Sequence, residues 1–249
     1  MKTVVIVQAR MASTRLPGKM MFPLDCNPVI EHIVRRVTEV PSIDEVVVAT
    51  SSEKQDDILA QTISELGLSS TVFRGSESDV LGRMYTAATA CEADIVVRMC
   101  GDRPLIPLIL IDKAVEKIKK DSLDYVGNMD VDGFATGFGI EAFSTKSFQH
   151  VEQESTSETE REHVTPYYRE NEDSFQTAKL RPDDVFQSQV LLESGELRLT
   201  LDEAADYELI KRVYNNVEYD HVLPAKRAIQ YICDHDLSSI NKSVDQKTI

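Results

Sequence analysis

Short β-branched runs alternate with amphipathic segments of helical length through the first half of the chain. Short apolar runs are typical of buried strands, and apolar positions spaced three and four apart are typical of helices that cover a sheet. This order predicts an α/β fold with a doubly wound, mainly parallel sheet, whose ligands bind at the carboxyl ends of the strands. The predicted strands are Thr3–Gln8, Glu45–Thr50, Thr71–Phe73, Asp94–Met99 and one beginning at Tyr125–Val126; the predicted helices begin at Pro28, surround Ile58–Leu66, and span Val80–Ala90 and Ile106–Lys120.

The pattern changes after Asp130, where glycines interrupt the chain before the next apolar run. Residues 152–162 are highly charged, so they could form a linker or a solvated helix capped by Ser155 or Thr156. Because no break is long enough to divide the chain, the sequence predicts a single domain over residues 1–249 with an inserted arm at about 130–175. The remaining predictions are strands Ile140–Phe143 and Leu197–Leu201, helices Ala204–Tyr214 and Ala225–His235, and a frayed tail from Asn241.

The charge balance excludes several classes of partner. The 249 residues carry a formal net charge of −15, which repels a polyanion, and the sequence has no basic stripe for nucleic acid. The apolar run Val4–Val7 is too short to span a bilayer, and no secretory signal follows Met1. The four cysteines form no Cys-x-x-Cys pair, as expected of a reduced protein. We therefore expect a cytoplasmic protein with neither a nucleic-acid nor a membrane partner, although a salt-rich cytoplasm would also favour this acidity.

A basic loop follows the first predicted strand. Arg10, Arg15 and Lys19 all lie in the segment Val7–Lys19. Cations offset the charge of a triphosphate, and small residues between them let the backbone approach an anion. The spacing matches neither a P-loop nor a dinucleotide-binding motif. By composition the loop is either a phosphate site or a solvated turn; its small residues include Ala12, Ser13 and Gly18.

The Val7–Lys19 segment resembles the N-terminal motif of the acylneuraminate and 3-deoxy-manno-octulosonate cytidylyltransferases, and the whole chain is most similar to their spore-coat-polysaccharide branch. The resemblance covers roughly residues 1–220. It implies a three-layer, Rossmann-like nucleotide-diphospho-sugar transferase fold, with a small dimerisation arm and a homodimer. The further blocks that carry it are, in order, Arg74–Arg83, Arg98–Pro104, Gly139–Phe143, Arg161–Pro166 and Arg198–Asp206.

The resemblance also implies a reaction, in which CMP is transferred from CTP to a sugar acid of the nonulosonic or octulosonic kind and pyrophosphate is released. Mg²⁺ is the implied cofactor, and Mn²⁺ could substitute for it. Positioned charges supply most of the catalysis in such a transfer, so Arg10, Lys19 and Asp102 are the expected catalytic residues. The expected nucleotide-binding residues are Gln8, Ala9, Arg10, Ser13, Arg15, Lys19, Arg74, Asp79, Arg83 and Arg98.

Asp102 and Asp202 are the predicted metal ligands. Asp102 follows the strand Asp94–Met99, and a carboxylate at the carboxyl edge of a central strand can hold a hard cation against phosphate oxygens. Asp202 ends the last predicted strand, where the family supplies a second metal ligand. Either aspartate could instead cap a turn or a helix. Arg103 and Glu203 differ from the residues expected at these places in the family.

The acceptor is expected to bind at the arm, where Glu141, Arg161 and His163 are the predicted contacts. Arg161 could bind the carboxylate of an acidic sugar through two parallel hydrogen bonds. His163 is either a general base or a plain surface histidine. Asp79 and Arg83 could likewise form only an i,i+4 ion pair on a helix, worth about 0.3–0.5 kcal/mol.

Two other functions stay open. A glycosyltransferase of similar fold would need an Asp-x-Asp metal motif, and residues 130–132 match it but lie in the glycine-rich arm. A nucleotide-binding module without turnover would not need two metal-binding carboxylates, so Asp102 and Asp202 argue against it.

Overall fold

A mainly parallel seven-stranded sheet forms the centre of the protein, and the computed structural model describes residues 1–244. The strands are β1 (Thr3–Gln8), β2 (Pro23–Leu24), β3 (Asn27–Pro28), β4 (Glu45–Ser51), β5 (Ser70–Gly75), β6 (Ile95–Cys100), β7 (Tyr125–Gly127), β8 (Glu141–Ser144) and β9 (Thr177–Lys179). The sheet order is β5-β4-β1-β6-β8-β7-β9, in which β8 runs antiparallel to both neighbours, while β2 and β3 pair separately.

Helices cover both faces of this sheet. The predicted helices are confirmed, with shifts of a few residues at their ends; Pro28, for example, is the N-cap residue of the first helix instead of its first turn. Short 3₁₀ turns occupy Lys19–Met21, Lys54–Asp56, Glu172–Ser174 and Leu237–Ile240. The α-helices are α1 (Val29–Thr38), α2 (Asp57–Glu65), α3 (Val80–Ala90), α4 (Leu108–Asp121), α5 (Thr145–Glu154), α6 (Glu158–His163), α7 (Pro166–Glu170), α8 (Pro182–Val185), α9 (Gln189–Leu192), α10 (Ala204–Asn216) and α11 (Ala225–Asp234).

Alternate residues of β1 pack against opposite helical layers. Val5 and Val7 belong to the core cluster formed with α1, α4, α10 and α11, whereas Val4 and Ile6 belong to the cluster formed with α3 and α5. All of these side chains are fully buried, and burying each one contributes about 1.5–3 kcal/mol of transfer free energy. The two clusters and the sheet between them make the three-layer α/β fold, so the predicted fold class is confirmed.

The segment Leu197–Leu201 is not a strand of the sheet, contrary to the prediction. It forms an isolated parallel bridge with Thr136, whose amide donates to the Leu197 carbonyl at 2.9 Å. The Leu201 amide donates to the Asp102 carbonyl at 2.9 Å instead of to a neighbouring strand. The chain therefore crosses the carboxyl edge of the sheet here, and its apolar alternation reflects burial instead of strand pairing.

Much of the predicted arm at about 130–175 is part of the domain itself. β8 lies inside the sheet between β6 and β7, and Phe148 and Tyr168 are buried in the layer that contains α3. Residues 130–140 form a loop at the carboxyl edge before β8. Because this region is rich in charged residues, the sequence analysis did not identify its buried positions. A role of the segment in a homodimer stays a prediction.

Residues 152–162 are mostly helical, so the linker hypothesis is wrong and the predicted cap is misplaced by one or two residues. α5 ends at Glu154, and α6 begins after Ser157, whose hydroxyl accepts from the Glu160 amide at 3.2 Å. The Glu160 carboxylate accepts in turn from the Ser157 amide at 2.9 Å. This reciprocal pair is a capping box, which selects Ser157 over Ser155 and Thr156.

Asn241 belongs to the packed structure, although the sequence predicts a frayed tail from this residue. It is 2% exposed, and its amide donates to the Arg198 carbonyl at 3.0 Å and to Asp206 Oδ1 at 2.9 Å. Residues 245–249 of the predicted tail lie outside the described residues. Within residues 1–244, no helix has the length and apolar composition that crossing a bilayer requires.

Candidate active site

The loop after β1 is folded onto itself by hydrogen bonds. The Met11 carbonyl accepts from the amides of Ser13 and Gly18, both at 2.9 Å, and the Ser13 hydroxyl accepts from the Leu16 amide at 3.3 Å. Gly18 has a φ of +75°, a left-handed conformation that glycine adopts at little cost. The turn directs the next residue, Lys19, to the carboxyl end of β6.

A buried aspartate, Asp56, anchors this loop and was missed by the sequence analysis. Its carboxylate accepts from the Met11 amide at 2.6 Å, from the Ser51 amide at 3.3 Å and from the Ser51 hydroxyl. The side chain is fully buried, and it ties the loop to the end of β4. Its sequence position, just before a helix, is also that of an ordinary capping residue, so the sequence offered no distinct signal.

Asp56→Ala should destabilise the fold because it leaves the Met11 amide and two Ser51 donors without their acceptor. We expect the free energy of unfolding to fall by about 3 kcal/mol, since each orphaned buried donor costs about 1–3 kcal/mol. Urea unfolding measures the change. Asp57→Ala is the matched control, because the Asp57 side chain is exposed and its ion pair with Arg74 contributes less than about 1 kcal/mol. Equal losses in both variants would contradict the anchoring role.

Lys19 joins the two aspartates that were predicted to bind metal. Its ammonium donates to Asp102 Oδ2 at 2.9 Å, to Asp202 Oδ1 at 3.2 Å and to the Leu201 carbonyl at 2.6 Å. The Lys19 side chain is only 11% exposed, so these contacts are largely shielded from water. The fold thus brings together three predicted site residues from separate segments, and we call Lys19, Asp102 and Asp202 the Lys19 cluster.

The charges of the Lys19 cluster stabilise one another. Burial acts to lower the pKa of Lys19, but the carboxylates of Asp102 and Asp202 outweigh it and hold that pKa above its usual value. Burial acts to raise the pKa of Asp102, but the positive charges of Lys19 and Arg103 outweigh it and hold that pKa below its usual value. At neutral pH, Lys19 is therefore protonated and Asp102 is ionised.

Arg198 and Asp206 fix the position of Asp202, and neither was predicted as a site residue. Arg198 Nη2 donates to Asp202 Oδ2 at 3.0 Å, and Arg198 Nε donates to Asp206 Oδ1 at 2.9 Å. The buried Asp206 also accepts from the amides of Asp202 and Glu203, at 3.1 and 3.0 Å. Arg15 Nη2 approaches Asp202 Oδ1 at 3.2 Å from the loop. The N-cap residue of α10 is Glu203, so the helix-cap alternative for Asp202 is wrong.

The Lys19 cluster contains two carboxylates that can be tested for their fit to a magnesium ion. One oxygen of Asp102 and one of Asp202 point toward the same position, which the Lys19 ammonium occupies. Its Nζ lies 2.9 Å from Asp102 Oδ2 and 3.2 Å from Asp202 Oδ1. Within residues 1–244, no set of three carboxylate, imidazole or thiol groups is placed to hold a metal. Mg²⁺ binds proteins through one or two carboxylates and takes its other ligands from water and phosphate. The two aspartates therefore fit this ion, provided that Lys19 gives up a contact.

A cleft of about 1030 Å³ opens beside the loop. Arg10 borders it, with its guanidinium 3.7 Å from a Glu77 oxygen and 3.9 Å from a Glu162 oxygen. These ion pairs are long and partly exposed, so an anionic ligand could replace them at little cost. The cleft is also lined by Ser52, Ser76, Asp79, Thr156 and Arg161.

Asp79 pairs with Arg161, so the i,i+4 interpretation with Arg83 is wrong. Arg161 Nε and Nη2 donate to the two Asp79 oxygens at 2.8 and 2.6 Å. Its Nη1 donates to the Glu152 carbonyl at 2.9 Å and to Glu152 Oε1 at 3.2 Å. Arg83 is 3% exposed and donates to the Ser76 carbonyl instead. Arg161 therefore lies on the side of the cleft, where it joins α6 to the N-cap residue of α3 and to α5.

Arg98 and Glu141 form a buried ion pair beneath the carboxyl edge of the sheet. They face each other across β6 and β8, and the Tyr125 hydroxyl donates to Glu141 at 2.8 Å. Burial acts to raise the pKa of Glu141, but Arg98 and neighbouring hydroxyl donors outweigh it and hold that pKa below its usual value. Arg98 Nη2 also donates to Gln8 Oε1 at 3.3 Å. Glu141 thus lies in the sheet and not in an arm.

Apart from Arg15, which contacts Asp202, the structure does not bring the other predicted site residues into the Lys19 cluster. Arg74 donates to the Ser51 and Glu53 carbonyls, both at 2.9 Å, and braces the end of β4. His163 lies half-buried at the end of α6. No hydrogen bond or ion pair among the described residues joins Glu141, Arg161 and His163 to one another. Their contacts with substrate stay predictions.

Comparison with known proteins assigns a family to this arrangement. The sequence matches the cytidylyltransferase family over residues 4–229. It is 32% identical over 249 residues to the protein MJ1063 of Methanocaldococcus jannaschii, covering 100% of this chain and 98% of the relative. It is 31% identical over 213 residues to the spore coat polysaccharide biosynthesis protein SpsF of Bacillus subtilis, covering 84% of this chain and 85% of SpsF.

The fold is similar to that of a solved cytidylyltransferase as well. The structure of a cytidylyltransferase from Leptospira borgpetersenii serovar Hardjo-bovis superposes with a TM-score of 0.87 at 28% identity, and the match covers 100% of both chains. The family match includes the loop after β1 and both aspartates of the Lys19 cluster. The chain therefore belongs to the cytidylyltransferase family and is a CTP-dependent nucleotidyltransferase.

Proposed function

We propose that this enzyme transfers CMP from CTP to the anomeric hydroxyl of a sugar acid, of the nonulosonic or octulosonic kind, and releases pyrophosphate. The observation that carries the proposal is the Lys19 cluster, which gathers one cation and two carboxylates beside a basic loop. A triphosphate needs such a cation, and a metal that bridges phosphate oxygens needs such carboxylates. The resemblance to cytidylyltransferases that act on acidic sugars supports the class of acceptor.

The loop after β1 would hold the triphosphate. Arg10, Arg15 and Lys19 each pair with carboxylates at distances between 2.9 and 3.9 Å. These acidic partners keep the three cations in place, and the phosphate oxygens of CTP would take over part of that pairing. Because the positive charges are already positioned, they stabilise the charge that develops on the leaving pyrophosphate without further reorganisation.

Asp102 and Asp202 would hold Mg²⁺ or Mn²⁺. When bound there, the cation would neutralise negative charge on the phosphates. The acceptor oxygen forms its bond to the α-phosphorus in line with the bond to pyrophosphate that breaks, and the hydroxyl proton passes to solvent. Arg198 and Asp206 act as positioning residues, because they hold the Asp202 carboxylate toward Lys19.

CTP turnover should require both a divalent cation and a sugar acid. Pyrophosphate release, followed by a coupled assay with Mg²⁺ or Mn²⁺, should appear when nonulosonic or octulosonic acids are supplied and not with neutral sugars. Excess chelator should abolish it, because without a cation the charge of the phosphates beside two carboxylates would not be neutralised. Activity undiminished in chelator would refute the metal assignment, and turnover of neutral sugars alone would refute the acid acceptor.

The same assay separates the two alternative functions. A glycosyltransferase would release a nucleotide from a nucleotide-sugar instead of pyrophosphate from CTP, and a binding module would release neither. The Asp-x-Asp motif of the first alternative is poorly placed, because Asp130 pairs with Lys179 of β9 instead of with the Lys19 cluster.

A further inference from the structure

Arg103 follows Asp102 directly, and its guanidinium interacts with the Asp102 carboxylate only at longer range than an ion pair. Its Nη1 donates to the Gly139 carbonyl, and its Nη2 lies 3.9 Å from Met129 Sδ, a weak acceptor. No carboxylate within residues 1–244 lies close enough to form an ion pair with it. Its Nε and Nη2 therefore have no oxygen of the described residues as hydrogen-bond acceptor, and a guanidinium edge of this kind can bind a planar anion through two parallel hydrogen bonds.

The turn at Gly139, whose carbonyl accepts from Arg103, is held by several hydrogen bonds and leaves room for the guanidinium. Asn128, which is 3% exposed, donates to the Phe138 carbonyl at 3.0 Å and accepts from the Ile140 amide at 2.7 Å. These bonds fix the chain just before β8. A Cβ on Gly139 would come within 2.9 Å of Arg103 Nη1, so glycine at this position leaves room for the guanidinium. Arg103 is thus held in a defined place beside the Lys19 cluster.

The order of the strands puts the Gly139 turn, which Arg103 contacts, on the side of Asp102 opposite the phosphate loop. Because β8 runs antiparallel to β6, Gly139 and the start of β8 lie at the same edge as Asp102. The sheet order β1-β6-β8 places the phosphate loop on one side of Asp102 and the Gly139 turn on the other. An in-line displacement needs the acceptor and the pyrophosphate on opposite sides of the α-phosphorus. With the triphosphate held by the loop, as proposed above, the acceptor would approach from the side of Arg103.

Arg161, which the sequence assigned to the acceptor, has no such free edge. Its Nε and Nη2 bind the two oxygens of Asp79, and Nη1 and Nη2 also bind Glu152. A sugar carboxylate would have to displace this bidentate pair. At Arg103 the same carboxylate would replace only the weak contact with the Met129 sulfur.

We propose that Arg103 binds the carboxylate of the acceptor and makes the enzyme select anionic acceptors over neutral ones. The proposal rests on the proposed function, because it assigns a protein partner to the carboxylate of the sugar acid. Two parallel hydrogen bonds also fix the orientation of the bound acid. Arg103 therefore determines specificity, whereas the Lys19 cluster acts on the phosphates.

The test compares a sugar acid with its neutral amide as acceptors for the wild type, Arg103→Gln and Arg103→Lys. Arg103→Gln should lower kcat/KM for the acid by about fiftyfold, mostly through KM, and change kcat/KM for the amide by less than about threefold. Arg103→Lys keeps the charge without the planar fork, so its loss should be intermediate. The Kd of CTP, measured by calorimetry, should stay within about threefold of wild type in both variants.

Arg227→Gln, an exposed position in α11, is the matched control and should behave as the wild type. Equal losses for acid and amide in Arg103→Gln, or a comparable loss of CTP affinity, would overturn the assignment of Arg103. If the wild type releases no pyrophosphate that depends on a sugar acid, the proposed function is refuted, and the assignment of Arg103 to the acceptor carboxylate is refuted with it. If Arg103→Gln does not fold, the ratio of acid to amide in Arg103→Lys decides.

Discussion

Asp102→Asn should lower the turnover number by about a hundredfold or more, comparable to the loss of a transition-state electrostatic contact. Asparagine keeps the shape of the side chain but removes the anionic ligand, so a divalent cation would retain only Asp202. The fold should survive, because Lys19 keeps Asp202 and the Leu201 carbonyl as partners. The Leu201 amide also still donates to the backbone carbonyl of residue 102. Steady-state kinetics at saturating CTP, together with thermal unfolding, measure both effects.

Asp121→Asn is the control for this change. Asp121 lies on the outer surface of α4 and pairs with Lys117 at 3.6 Å, so its loss should affect neither turnover nor the thermal midpoint. If Asp102→Asn instead melts far below the wild type, the aspartate mainly stabilises the turn after β6. Turnover close to that of the wild type would show that Asp102 is not a metal ligand.

Lys19→Met should lower kcat/KM for CTP by about a hundredfold without weakening the binding of a divalent cation. Methionine keeps an unbranched apolar stem and so preserves most of the packing, but it removes the charge that faces the triphosphate. The same change frees the oxygens of Asp102 and Asp202 that Lys19 now occupies. Calorimetry with CTP, beside a Mn²⁺ titration of the same variant, measures the two affinities separately.

Lys113→Met provides the comparison, because Lys113 is a partly exposed lysine that pairs with Glu116 on α4. It should leave CTP turnover and Mn²⁺ affinity unchanged. The prediction for Lys19 requires the two affinities to diverge. If CTP and Mn²⁺ affinity fall together in Lys19→Met, Lys19 and the metal do not compete for the same carboxylates, and the metal site lies elsewhere.

The sequence alone predicted the strands and helices of the first half well, because their signal is local. In β1, alternate residues face opposite helical layers, so a continuous apolar run identifies a strand buried on both faces. The same local signal failed at Leu197–Leu201, where apolar residues are buried but the backbone hydrogen bonds across the chain go to Thr136 and to Asp102. The spacing of apolar residues indicates which side chains are buried, whereas strand pairing depends on which other segment of the chain lies alongside.

The sequence could not predict the position of β8. Its residues belong to a region whose glycines and charges resemble a projecting arm, yet it enters the sheet antiparallel between β6 and β7. That insertion brings Gly139 to the edge where Asp102 lies. Strand order and direction depend on long-range packing, which cannot be read from the residues of one segment alone.

The sequence by itself determined the chemistry of the site: a basic loop after the first strand and two aspartates, which are the residue types that a triphosphate and a hard cation require. Only the tertiary structure decided how these charges pair. It placed Lys19 between Asp102 and Asp202, paired Arg161 with Asp79, buried Asp56 under the loop and left Arg103 without a direct ion pair. The physical reason is that an ion pair depends on distances of a few ångströms between side chains far apart in the sequence, and those distances are set by the packing of the whole fold.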